Sequence, residues 1–183
     1  MLTDSHKIMW YPLRVTYSRE LKAKEFLDAE DIESFIPMRY VDDELVPAVH
    51  NLVFVHTDRE ELKRIKTSPS LSSFVRYIVH PITRLPLTIP DKQMHDFITI
   101  AGLPEDQVMY LSPSEVAMKK GEQVRIINGA LEGVEGKFVR IKRTLRVVVN
   151  VEDIMAIATP ALHPSSVTPI SHSEQGKEPV NIH

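Results

Sequence analysis

Residues Gly121 to Gly136 hold four of the chain's six glycines. Glycine is required where the backbone must take a positive φ or approach a neighbour closely. Inside a helix each would cost roughly 1 kcal/mol relative to alanine. The stretch therefore predicts a short strand over residues 123–127, a glycine-bearing turn, and a second strand over 137–141. Further strands are predicted over 145–151 and 155–159, with a short one near Val167. Five short strands at this spacing have the rhythm of a small β-barrel. The branched run Val147-Val148-Val149, with Gly133 and Gly136, disfavours any helical alternative for residues 119–170.

The remaining properties bound the function. A length of 183 residues suits one large or two small domains, and a hydrophobic fraction of 43% suffices for a core. Cysteine is absent, which excludes disulfides, thiolate metal sites and cysteine nucleophiles and suits a reducing cytoplasm. No apolar run approaches the roughly 20 residues needed to span a bilayer, so no membrane is expected as a partner. The first seven residues lack the apolar segment of a secretory signal. A net charge of −3 argues against coating nucleic acid by charge alone. The charge is uneven. Residues 119–150 carry eight Lys or Arg against three Asp or Glu, whereas residues 1–101 carry 13 against 15.

The first half mixes periods. Residues 9–16 read as a strand, and Pro12 predicts either a sheet edge or a position whose missing N–H needs no partner. A helix is predicted over 19–30, with Ala23, Phe26 and Leu27 facing inward. Strands follow over 34–41 and 51–57, joined by an acidic loop around Asp42-Asp43-Glu44. Asp58 opens a second helix with Leu62 and Ile65 inward. A strand over 73–80 leads through Pro81, Pro86 and Pro90 to a third helix capped by Asp91 and ended by Gly102. This order predicts an α+β fold with a small, largely antiparallel sheet flanked by helices. The expected organisation is a first domain over 1–102, a linker over 103–118 with an extended piece at 108–111, a second domain over 119–170, and a disordered tail over 171–183.

The glycine-bearing stretch resembles the KOW motif, and the two halves together resemble the NusG family of transcription elongation factors, which pair an NGN domain with a KOW domain. In the first half the resemblance is carried by Trp10-Tyr11, Ser18-Arg19-Glu20, Phe35-Ile36-Pro37, Asn51-Leu-Val-Phe-Val55, Phe74-Val-Arg-Tyr77 and Ile89-Pro90. Two departures are Leu52, where the family often has Tyr, and His50, where it often has Pro. Residues 74–77 are similar to RfaH, and residues 89–97 to UpxY-type regulators of capsular polysaccharide operons. The resemblance implies an SH3-like barrel for the second domain. It also implies a specialised, operon-specific antiterminator.

For the first domain, the resemblance implies docking on the clamp helices of RNA polymerase through Arg14, Leu52, Phe54, Tyr77 and Met94. The bland alternative is that Phe54, Tyr77 and Met94 are core. It also implies that Lys63, Arg64, Lys66, Thr67 and Ser68 approach non-template DNA in the transcription bubble, against the alternative of a solvated helix face. The basic hairpin Lys142, Arg143 and Arg146 is the candidate contact for nascent RNA, a ribosomal protein or a termination factor. A monomer is expected.

No P-loop, Gly-x-Ser-x-Gly or dinucleotide fingerprint is present, so no enzyme and no cofactor are predicted. His50 and His56 flank a strand without a carboxylate at metal-like spacing, so no metal is predicted either. The competing functional readings are a general NusG-type elongation factor and a KOW-bearing RNA-binding protein of the translation machinery. The acidity of the chain weighs against the latter.

Overall fold

A computed structural model describes residues 6–171; the expected disordered tail lies almost wholly outside them. The chain is α+β. In order come β1 (Met9–Val15), α1 (Glu20–Ala29), β2 (Glu33–Phe35), β3 (Met38–Val41), β4 (Glu44–Pro47), β5 (Leu52–Thr57), α2 (Arg59–Thr67), β6 (Val75–Tyr77) and α3 (Asp91–Ala101). Then follow β7 (Met109–Leu111), α4 (Pro113–Ala117), β8 (Glu122–Ile126), β9 (Glu135–Ile141), β10 (Thr144–Val151), β11 (Met155–Ala158) and β12 (Val167–Pro169).

The first sheet has the order β2-β5-β1-β6 and the second the order β12-β8-β9-β10-β11-β7, with every pairing antiparallel. Strands β3 and β4 form a separate hairpin. The second sheet is open in its pairing: no ladder joins β12 to β7 among the described residues.

Three local expectations are corrected. Strand β1 is internal, so of the two readings of Pro12 the sheet edge fails and the unpaired position holds. The Pro12 carbonyl accepts from Ile78 N at 3.4 Å, and the β6 ladder runs only from Leu13 to Val15. The missing N–H therefore falls where β6 has ended and leaves no gap in a ladder. The strand expected over 34–41 is two strands. Residues Ile36 and Pro37 break it, and β3 leaves the sheet to pair with β4 through a turn in which Asp42 and Asp43 take φ of 48° and 65°. Within the expected linker, residues 105–117 form a 3₁₀ turn, β7, which falls on the extended piece expected over 108–111, and α4. Strand β7 completes the second sheet, and Ser112 caps α4 reciprocally with Glu115. The N–H and hydroxyl of Ser112 hold the Glu115 carboxyl below its ordinary range.

Strand alternation sorts side chains between two cores. Tyr11, Leu13, Val15, Val53 and Val55 face α1 and α2, where they meet Ala23, Leu27, Leu62 and Ile65. Trp10, Leu52 and Phe54 point to the other face. Both faces are covered, so Leu52 to Val55 are each 4% exposed or less. What covers the second face is α3, through Met94, Phe97 and Ile100, together with Val147, Val149, Val151 and Ile157 of the second sheet. The alternation repeats in β10, whose Val148 points instead into a small core with Leu111, Val116, Val139 and Ile141. The apolar run Val147-Val148-Val149 is thus buried on both sides, so all three positions must be apolar.

Candidate functional site

The face of the first sheet opposite α1 and α2 is where α3 seats. The helix starts at Pro90, whose backbone is extended and whose ring cannot continue a helix backwards; the expected cap, Asp91, is its first residue. Met94, Phe97 and Ile100 recur at three-residue steps and fall on one side. Phe97 is the centre of an aromatic group. Its ring lies 5.9 Å from Phe54, 6.0 Å from Phe35 and 6.5 Å from Tyr110 of β7. One residue therefore touches the first sheet and the second.

The five residues expected to dock on a clamp do not all share this face. Cross-strand partners point the same way. Arg14 stands opposite Leu52 and Arg76, while Tyr77 stands opposite Leu13, whose other partner is Val53. Leu52, Phe54 and Met94 are brought together and are 4%, 0% and 0% exposed, in the core that α3 shares with the first and second sheets. Arg14 is exposed on their side of the sheet. Tyr77 belongs to the opposite face, packed against the core under α1 and α2, with Lys66 Nζ 4.6 Å from its ring centroid and 3.3 Å from its hydroxyl.

The expected nucleic-acid residues surround the end of α2. Lys63 is exposed. Arg64 is held by Glu61 and Glu30, at 2.7 Å and 3.1 Å. The hydrogen bond and charge of Glu61, more than those of Glu30, raise the Arg64 guanidinium above its ordinary pKa. Thr67 donates to the Lys63 carbonyl at 2.9 Å, and Ser68 caps the helix and accepts from Ser70 N. In the second sheet Lys142 and Arg143 form the exposed β9–β10 turn, both with positive φ, 46° and 70°. Arg146 does not join them. Its guanidinium donates to the carbonyls of Thr159 at 2.7 Å and Gln107 at 3.1 Å, which ties β10 to its neighbours.

Three further groups escaped the sequence reading. Arg14 and Arg76 form a like-charged cross-strand pair; Arg76 is steadied by donating to the Ser72 and Val75 carbonyls. Arg19 lies over both Tyr17 and Phe74, at 5.5 Å and 5.3 Å. His56 stacks on Trp10 at 4.7 Å, with Glu33 2.6 Å from its Nδ1. The signal for the second was present in Tyr17-Ser18-Arg19, an aromatic and a cation flanking a turn. The others depend on register, which no local pattern reveals. Among the described residues no group of three or more His, Cys, Asp or Glu is placed to hold a metal ion, and no helix is long and apolar enough to cross a membrane.

The arrangement offers binding surfaces: an apolar face that is covered, a half-paired basic helix end, and a basic hairpin tip. The family described as NusG, "Transcription termination factor nusG", matches residues 8–98. No curated protein matches the chain. Among solved structures, "Crystal Structure of MjSpt4:Spt5 complex conformation A" aligns over 89% of this chain and 99% of that one, at 19% identity and a TM-score of 0.29, too low to support an argument. The matched segment runs from the start of β1 into α3 and contains the first sheet, α1, α2 and most of α3; over that segment the chain belongs to the NusG family.

Proposed function

We propose that this chain is a cytoplasmic, monomeric transcription elongation factor. A first domain over 1–102 binds the clamp helices of RNA polymerase, and a second over 119–170 recruits a further partner, with β7 and α4 of the joining segment built onto the latter. It works by occupancy, without chemistry of its own. The observation that carries the reading is the NusG match over residues 8–98, combined with one apolar surface on the matched segment: Leu52, Phe54, Met94 and Phe97. Such a side chain, once uncovered, contributes roughly 1.5–3 kcal/mol when buried against a helical partner, less what its uncovering costs, because all four are covered in the free chain. A few anchors of this kind suffice for a specific interface.

The strands β8 to β12 and their glycine turn support a KOW-type, SH3-like unit. Its exposed Lys142-Arg143 tip suits a phosphate backbone or an acidic protein surface, so nascent RNA, a ribosomal protein or a termination factor are the partner classes. Lys63, with Lys66, Thr67 and Ser68, offers a polar ridge for non-template DNA; Arg64 is partly neutralised by its two carboxylates. The similarity of residues 74–77 and 89–97 to specialised paralogues favours an operon-specific antiterminator, acting on polysaccharide biosynthesis, over a general factor.

The test is capture of the purified chain by core RNA polymerase and by an assembled elongation complex. Wild type is compared with a Leu52→Ala variant whose fold is verified by its thermal melt. Capture that is lost in the folded variant is expected. Failure of both the wild type and a variant with a loosened second domain to bind either form of polymerase would sink the reading.

A further inference from the structure

Asn128 and Gly129 are adjacent in the turn between β8 and β9, and both are exposed. The turn is anchored on either side of them. The Ile127 N–H donates to the Ser166 carbonyl at 2.9 Å, the Glu132 N–H to the Gly129 carbonyl at 3.1 Å, and the Gly133 N–H to the Ile126 carbonyl at 2.8 Å. Between these anchors, the Gly129 N–H and the Asn128 side-chain amide have no hydrogen-bond partner among the described residues. Gly129 takes a φ of +81°, and beyond its chain neighbours nothing lies within 4 Å of the place a Cβ would occupy. An asparagine amide and the next backbone nitrogen are thus left side by side, unpaired and unhindered.

The chain's other asparagines lack this arrangement. There are four in all, at 51, 128, 150 and 181. Asn51 precedes Leu52, which is 4% exposed and paired in β5, and its own N–H is held by the Glu20 carboxylate. Asn150 precedes Val151, which is fully buried and paired in β10, and its amide donates to Asp153 Oδ1 at 3.0 Å. Asn181 precedes the branched Ile182 and lies outside the described residues. In the two described cases a following side chain and a strand ladder both stand between the nitrogen and the amide carbon.

We propose that Asn128 is a site of spontaneous covalent modification, converted to aspartate and isoaspartate by attack of the Gly129 nitrogen on its side-chain amide. The Gly129 nitrogen gives its proton to water or hydroxide and bonds to Asn128 Cγ. The Cγ–Nδ2 bond breaks, Nδ2 takes up a proton, and ammonia leaves a succinimide ring. Water then adds to either ring carbonyl. Cleavage at Cγ restores the main chain with an aspartate; cleavage at the main-chain carbonyl routes the chain through Cβ and leaves an isoaspartate. The net change is gain of water and loss of ammonia, with no oxidation. Either product places a carboxylate in a unit whose residues 119–150 carry eight Lys or Arg against three Asp or Glu. The isoaspartate also lengthens the main chain between the Ile127 and Gly129 anchors, which shifts the Gly129 carbonyl relative to the Glu132 N–H. The proposal does not depend on the identity of any partner.

The test ages the folded full chain in mildly alkaline buffer and maps mass by tryptic digestion. Trypsin isolates Asn128 in residues 126–137, Asn51 in 40–59 and Asn150 in 147–177. The peptide over 126–137 is expected to exchange amide for carboxyl on the order of tenfold faster than the other two, because only there is the attacking nitrogen free and unhindered. An isoaspartate-specific carboxyl methyltransferase with its methyl donor should label the same peptide. Asn128→Gln, whose amide would have to close a larger ring, should lose both signals and keep the wild-type thermal melt. No exchange at 126–137, equal exchange in all three peptides, or exchange that persists in Asn128→Gln would overturn the proposal. Exchange without methyl labelling would overturn the route, since direct hydrolysis by water yields aspartate alone.

Discussion

The rings of Phe97 and Tyr110 lie 6.5 Å apart with planes tilted by 58°, and this pair joins the third helix to the edge strand of the second sheet. Burial, and secondarily the charge of Glu105, raises the Tyr110 hydroxyl to about 12. A phenol whose folded pKa lies above its unfolded value favours folding while it stays neutral. That contribution is complete below the ordinary pKa of about 10 and is lost as pH rises through 12. Tyr110→Phe should therefore flatten the decline in stability between about pH 10 and 12. The difference in ultraviolet phenolate titration between wild type and variant should show one late-titrating tyrosine. A variant spectrum lacking an ordinary step near 10 instead would refute the assignment.

Glu20 and Asn51 make a second long-range pair. The Glu20 carboxylate is 2% exposed and accepts the Asn51 N–H, which fixes a residue of positive φ immediately before β5. Hydrogen bonds to charged groups contribute about 1.5–3 kcal/mol. Glu20→Ala should lower the melting temperature by roughly 3–12 °C, at about 2–4 °C per kcal/mol for a chain of this size. Asn51→Gly keeps both the N–H and the backbone conformation and should be close to neutral. Equal losses in both variants would mean that side-chain packing of Asn51, and not the bond, matters.

The hairpin tip carries strain at two consecutive positions. Lys142 and Arg143 both occupy the left-handed region, where a non-glycine residue costs on the order of 1–2 kcal/mol and where Asn-Gly is the preferred pair. Replacing them with Asn-Gly should stabilise the chain by about 1 kcal/mol or more, read by denaturant unfolding. The same replacement should weaken binding of the second unit's partner, because both exposed cations are removed. A gain in stability with undiminished partner capture would remove the tip from the interface.

Much of this architecture was legible locally. The helices around Ala23 and Leu27, Leu62 and Ile65, and Met94 and Phe97 follow from apolar spacing, and Asp58 caps α2 as expected, accepting Glu61 N at 2.9 Å. The strands from residue 122 onward follow from glycine punctuation and branched runs. The errors arose where a residue's partner lies far along the chain. Pro12 leaves a sheet edge and an unpaired position both open, because the sequence does not record that β6 stops one residue short of it. The extended piece at 108–111 is legible, but its three strand residues are too few to show that β7 joins the second sheet beside β11. Arg146 looked like a free basic residue, yet the carbonyls it serves belong to Gln107 and Thr159.

The candidate surface divides in the same way. Which side chains are apolar, and that Leu52 and Phe54 share a face, is a property of composition and of the two-residue period of a strand. The amino-acid order also determined the family match and the need for a glycine turn in the second unit. Only the tertiary structure decided that Tyr77 lies on the opposite face, that Leu52, Phe54 and Met94 are buried in one core with α3 and the second sheet, and that Asp96 pairs with Lys92 and accepts the Glu135 N–H. The physical reason is that periodicity specifies which face of its own element a side chain occupies, whereas register and docking between elements distant in sequence specify what that face meets.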